Sequence, residues 1–248
     1  MTLWRLEWLR LWRTRRVVAV AGVFILFGFI GPISAYYLPR LVAHAGDGIQ
    51  VIVPPAVPPD GITAYLHNSL QLGALVAVIV AAASLTLDAR PPLAIFYRTR
   101  VLRPAQLMLT RYVPVTLVTM AAFVAGTMVA WYETDVVLGA IHPVRLLIGV
   151  ALELPYLAFV TAVVAGATAV VRGTLATIGV GLGTIILLPI ASAFDVVARW
   201  SPSSLADSLD ASVRGEAIHV YSGPMAVTLV ATVGLLALAC VKANTREL

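Results

Sequence analysis

Six runs of mostly apolar residues, roughly 17–38, 69–87, 112–132, 146–171, 174–194 and 224–241, leave this chain few folds to choose from. The first, VVAVAGVFILFGFIGPISAYYL, carries no charge at all. About 20 apolar residues in a helix cross the hydrocarbon core of a bilayer, and a helix satisfies its own backbone polar groups where no water can. The pattern therefore predicts an all-α polytopic membrane protein, with six transmembrane helices in one transmembrane domain over residues 1–248. Composition agrees: 12% of the residues are charged, where a soluble domain carries about 25%.

Orientation follows from the positive charges, which concentrate on cytoplasmic segments. With the N-terminus inside, thirteen of the seventeen basic residues fall inside, and only Arg40, Arg145, Arg199 and Arg214 fall outside. Both termini are accordingly expected in the cytoplasm, and the cell membrane is the expected location. The net charge of +5 then reads as topology and contact with membrane lipids rather than as nucleic-acid binding. Arg13, Arg15 and Arg16 ahead of residues 17–30 loosely resemble a cleavable signal. The apolar run continues to Leu38, however, and three tryptophans precede it, so this first span is expected to be retained.

The connections are uneven. Arg172–Gly173 is nearly all that separates the fourth and fifth spans, which predicts a tight helical hairpin. Residues 39–68 contain VPPAVPPDG, read as a stiff outer loop turning at Asp60–Gly61. The outer segment 195–223 contains SPSSLADSLDASV, which can start a short helix near Ser201 with Pro202 in its first turn. Residues 1–16, MTLWRLEWLRLWRTRR, place Trp4, Trp8, Leu11 and Trp12 on one helical face and Arg10 and Arg13 opposite. A Trp- and Arg-rich helix of this kind lies in the membrane interface. It is either a basic anchor or an elbow packed against the bundle or a partner.

Much chemistry is missing. A P-loop needs a glycine-bounded loop ending in lysine, and the sole lysine, Lys242, sits in ACVKANT. His44, His67, His142 and His219 have no paired spacing, and Cys240 stands alone, so zinc-type ligand sets are not expected. No G-x-S-x-G elbow occurs. The chain is expected to be no enzyme and to hold no cofactor or metal of its own. Glu153, in GVALELPYLAF, is a carboxylate well inside a span, with Arg145 eight residues earlier on about the same face. A charge at that depth is costly. It is either a protonated or hydrogen-bonded structural group near the outer interface, or part of a substrate cavity. Gly179 and Gly183 form a small-xxx-small pattern that lets helices approach closely, within one protomer or across a dimer seam.

One basic cassette interrupts the apolar pattern. TLDARPPLAIFYRTRVLRPAQLMLTRYV (residues 86–113) ends a span at Asp88, breaks it at Pro91–Pro92, and then offers a short apolar-and-basic helix. Pro104 opens the following helix, which carries Arg111 into the membrane. By itself the segment 89–104 could be a lipid-anchoring loop. Its order of parts resembles the type-2 ATP-binding-cassette permeases, in which an acidic residue ends the second span and a short coupling helix and a Thr-Arg turn follow. Asp88, Thr99–Arg100, Arg103 and Arg111 fill those places. VPPAVPPDGITAYLHNSLQLG and WSPSSLADSL are similar to the outer segments of an actinobacterial-type subgroup. Many members have Glu followed by Gly-Thr where this chain has Asp88 and then the two prolines.

What the resemblance implies is a permease subunit, an exporter, with an N-terminal elbow helix over 1–16 and a coupling helix between spans two and three. Two permease subunits, identical or paralogous, would pair, and separate P-loop ATPase subunits holding ATP and Mg would dock beneath. Asp88, Phe96, Tyr97, Arg98, Arg100 and Arg103 would form the handle on that ATPase, and Gly179 and Gly183 would lie near the dimer seam. An apolar bundle with few charges at mid-depth suits lipids and other amphiphiles as substrates. Other readings of the same residues are an ATP-independent secondary transporter or channel and a membrane scaffold that transports nothing.

Overall fold

The computed structural model describes residues 3–45, 55–86 and 104–245. The protein is an all-α polytopic membrane protein, 89% helical, with no strand among the described residues. Among those residues, six helical stretches are long and apolar enough to cross a membrane: Arg16–Pro39, Pro58–Leu85, Gln106–Val137, Pro143–Val170, Thr174–Ala191 and Ile218–Ala243.

The chain begins with α1 (Leu3–Arg13), turns at Arg15, whose φ is +55°, and enters α2 (Arg16–Ala45). The second span is composite: α3 (Pro58–Asn68), a wide π turn (Ser69–Gly73) and α4 (Ala74–Leu85). Then follow α5 (Pro104–Val137), α6 (Pro143–Val170) and α7 (Thr174–Ala191). A single turn at Asp195–Ala198 and a 3-10 helix at Pro202–Asp207 lead into α8 (Ser208–Arg214). A last 3-10 turn at Ile218–Tyr221 precedes α9 (Ser222–Thr245). With six spans, α1 and the C-terminal end of α9 share one end of the bundle, here the near end, while α3 and α8 lie at the far end.

The second span starts at Pro58, well before the expected residue 69. Proline suits a first helical turn, where its missing N–H has no partner to lose. Asp60 then fixes the start, its Oδ2 accepting a hydrogen bond from the Val57 N–H at 2.9 Å. Asp60 and Gly61 are therefore helical, not a turn, and the prolines read as a loop open the helix instead. The expected hairpin is present. Gly173 adopts φ +87° and ψ 151°, a conformation that a side chain makes costly.

α5 and α6 occupy the middle of the bundle. α2 crosses α5 where both are stripped to glycine: a Cβ on Gly28 would meet the Gly126 carbonyl oxygen at 2.6 Å, and one on Gly126 would meet the Phe24 carbonyl oxygen at 2.5 Å. Such backbone-to-backbone contact gains van der Waals energy that lipid cannot replace. Around the crossing, Phe123 meets Phe24 edge-on, with centroids 5.9 Å apart, and stacks on Tyr65 at 6.1 Å. The buried Tyr65 hydroxyl donates to the Phe123 carbonyl at 3.1 Å. A second apolar cluster at the near end joins Leu11, Leu85, Met108, Val160 and Ala239. α7 and α9 lie at the periphery, where Leu175, Ile186, Leu187, Val230 and Val233 are exposed.

Candidate functional site: two enclosed carboxyl groups

At the near end, α1 is pinned by its one acidic residue. Glu7 and Arg111 are both buried, 5% and 4% exposed, and the Arg111 Nε donates to Glu7 Oε1 at 3.1 Å. The Arg111 Nη1 also donates to the Ser84 carbonyl at 3.4 Å. Arg16, at the start of α2, donates to the Ser84 hydroxyl at 2.7 Å, and Arg10 approaches the other Glu7 oxygen at 3.5 Å. Four elements thus converge: the elbow α1, the first turn of α2, the last turn of α4 and the opening turns of α5. Leu11 and half-buried Trp8 pack inward beside Glu7, while Trp4 and Trp12 are exposed. The face expected to carry all three tryptophans is therefore divided, and Glu7 sits on its buried part.

This cluster brackets the basic cassette. α4 ends at Leu85 and α5 begins at Pro104. The residues assigned to coupling, Asp88, Phe96, Tyr97, Arg98, Arg100 and Arg103, lie outside the described residues, as does the short helix expected there. Arg111, expected to carry charge into the third span, is the arginine of the cassette that lies within the described residues. Sequence reasoning missed Glu7, although a signal existed. It is the only acidic residue in the first 46 and lies four residues before Leu11, hence on the same helical face.

At the far end, the segment Pro202–Arg214 folds back onto α6 and α3. Ser201 caps its 3-10 helix, with its hydroxyl accepting from the Ser203 N–H at 3.3 Å. The hydroxyls of Ser192, Ser201 and Ser203 are mutually 2.8 Å apart and tie the segment to the end of α7. α8 reaches α6 closely enough that a Cβ on Gly149 would meet the Leu209 Cα at 2.7 Å. The Ser212 hydroxyl donates to the Arg145 carbonyl at 2.7 Å. Arg214 clamps α8 to α3: its Nη2 donates to Asp60 Oδ1 at 3.0 Å and to the Thr63 hydroxyl at 2.7 Å, and its Nε donates to both Asp210 oxygens at 3.0 and 3.1 Å. Partial desolvation works to lower the Arg214 pKa, but hydrogen bonds and charge from Asp60 and Asp210 outweigh it and raise it. Desolvation raises that of Asp207, and the like charge of Asp210 adds to this.

Beneath this cap lies Glu153, completely buried, with neither carboxyl oxygen in a well-formed hydrogen bond, although the Leu209 backbone N–H of α8 approaches it. The Ser208 hydroxyl, also buried, is likewise unsatisfied. Arg145, weighed as a neighbour of Glu153, directs its guanidinium to Gly215 instead; a Cβ there would meet its Nη1 at 2.6 Å. Among the described residues, nothing outside their own helix lies within 4 Å of where a Cβ on Gly179 or Gly183 would stand. Among the described residues, no group of three or more His, Cys, Asp or Glu is placed to hold a metal ion.

No family model matches the chain, and no solved structure matches it. It is similar to the uncharacterized transmembrane protein YxlG of Bacillus subtilis (strain 168), with 22% identity over 210 residues, covering 83% of this chain and 81% of that protein. That likeness spans nearly the full bundle and agrees with a multi-span membrane protein.

Proposed function

We propose that this multi-pass membrane protein is the permease subunit of an ATP-binding-cassette transporter, an exporter of amphiphilic or lipid-like molecules. The observation that carries the reading is the buried Glu7–Arg111–Ser84 network, which joins the elbow to the two helix ends flanking residues 87–103. A segment with four arginines between rigidly joined helix ends is suited to receive force from a soluble partner and pass it to the spans. Asp88, Phe96, Tyr97, Arg98, Arg100 and Arg103 make up the docking surface in this reading. The partner is a P-loop ATPase carrying ATP and Mg, and the termini and the basic cassette face the cytoplasm across the cell membrane. A second permease subunit covers the peripheral faces, including the open glycine ridge of Gly179 and Gly183. Export as the direction follows from the resemblance to the type-2 permeases.

The test is co-purification from the native host in nanodiscs. A stoichiometric soluble ATPase that is lost in the Arg100→Glu, Arg103→Glu variant, while the membrane part stays folded, is the expected result. An intact oligomer that repeatedly comes through with no ATPase, or a double variant that still couples ATP hydrolysis to transport, refutes the reading. The ATP-independent alternative is favoured by one observation, the unpaired carboxyl of Glu153 at membrane depth.

A further inference from the structure

Glu153 stands ten residues into α6, about 15 Å along the helix axis at 1.5 Å per residue, roughly half the hydrocarbon thickness. Its two oxygens and the Ser208 hydroxyl are the buried side-chain polar atoms without a hydrogen-bond partner among the described residues. An ionised carboxylate with no counter-charge in such a place costs far more than a neutral one. The elements around it supply mostly negative or neutral groups. On α8 and its cap, Asp207 and Asp210 are negative, and Arg214 is taken by Asp60 and Asp210. On α6 itself, Arg145 turns to Gly215. From α3, α6 and the turn before α9, the nearest titratable groups are the phenols of Tyr65, Tyr156 and Tyr221. Glu216 contributes a further negative charge near Tyr221. α5 carries its acidic residues, Glu133 and Asp135, towards its far end. No cation of this chain is ion-paired to Glu153 among the described residues.

We propose that Glu153 is a proton-binding site gated by the segment Pro202–Arg214: the carboxyl holds a proton while α8 is seated and releases it to water when α8 lifts. A proton fits better than a metal ion, because hard cations take about six or more oxygen ligands, and the carboxyl itself offers two. The seat is also tight, with Leu209 closed against Gly149. The step is balanced as an acid dissociation: the Glu153 O–H bond breaks, its electron pair stays on the carboxylate, and water at the far end accepts the proton. Seating is then linked to pH, and lifting of α8 is favoured as pH rises. The site depends only on the fold, so it stands or falls independently of the permease reading.

Hydrogen exchange of the full chain in nanodiscs across a pH series tests it, with rates corrected for intrinsic exchange. In the wild type, protection of the Leu209–Val213 amides is expected to fall by about tenfold per pH unit above the ordinary carboxyl range, where the lifted state gives up its proton and the seated state still holds it. Glu153→Gln, which is neutral at every pH, is expected to keep that protection level, and Asp207→Asn to retain the wild-type slope. A slope that survives in Glu153→Gln, or one abolished by Asp207→Asn, overturns the assignment. So does recovery of protection on replacing choline by sodium at fixed pH, which would make the ligand a metal cation. If Glu153→Gln does not insert, the wild type decides alone: protection independent of pH refutes the site. An infrared band of a protonated carboxyl that fades over the same pH range supports it.

Discussion

Glu7→Gln removes the charge that faces Arg111 and changes little else. The side chains of Glu7 and Arg111 are only 7% and 4% exposed, so solvent screens the pair poorly. Removing one partner of a buried pair costs about 3–5 kcal/mol. The low end applies here, because Arg111 keeps the Ser84 carbonyl as an acceptor. About 3 kcal/mol corresponds to a factor of roughly 100–200 in an equilibrium constant. That loss should be local. α1 has 11 residues, too few to persist as an isolated helix in water, and its apolar hold on the bundle is mainly Leu11 with part of Trp8. The expected outcome is release of the elbow with the six spans intact. Hydrogen exchange over residues 3–13 reads the release directly, and Trp8 emission reports the loss of its packed environment. The double variant Glu7→Leu, Arg111→Met replaces the pair by apolar groups of similar bulk, and it should recover most of the lost protection. Protection in α1 within threefold of wild type in Glu7→Gln, or single effects that simply add in the double variant, would refute the argument that the ion pair holds the elbow.

Other perturbations separate the contacts that matter from those that do not. Gly126→Leu should disrupt the α2–α5 crossing and lower thermal stability by at least the 1–3 kcal/mol typical of overpacking, whereas Gly179→Ala, with open space around it, should leave protomer stability within about 0.5 kcal/mol; melting in nanodiscs distinguishes them. Arg214→Ala should cost less than about 1 kcal/mol in overall stability, because its side chain and those of Asp60 and Asp210 are roughly a quarter to a third exposed or more. The effect should shrink as salt is raised, which a melting series at increasing ionic strength checks.

Much of the fold was legible because the bilayer imposes so simple a rule: runs such as 17–38 have no alternative to a membrane-embedded helix, and five of the six spans both begin and end within a turn or two of where hydropathy places them. The second span departs at Pro58, where the same residue type that halts a helix from within can open one, and only Asp60 reaching back to Val57 distinguishes the two cases. Glycine spacing by itself does not name the partner. Gly179 and Gly183 repeat at the interval associated with close packing yet have open space at their Cβ positions among the described residues, while Gly28 and Gly126 bring two backbones together across nearly a hundred residues of sequence, a distance at which no local pattern announces a partner.

The two carboxyl groups carry the same lesson into function. Glu153 stands out in a sequence because everything around it is apolar, but its lack of a partner becomes visible only when α8 folds back over Gly149 and Arg145 turns away. Glu7 is hidden among arginines and reads as one more charge on an interfacial helix, until Arg111, 104 residues later, arrives beside it. One acid is satisfied by a guanidinium at the near end; the other, among the described residues, is ion-paired to no cation. In a bundle otherwise so poor in charge, that asymmetry separates a fixed joint, whose strength is set by an ion pair, from a site whose charge state must change with exposure to water. Neutralising each in turn should therefore have opposite effects: Glu7→Gln loosens the near end, and Glu153→Gln holds the far end shut where the wild type would open.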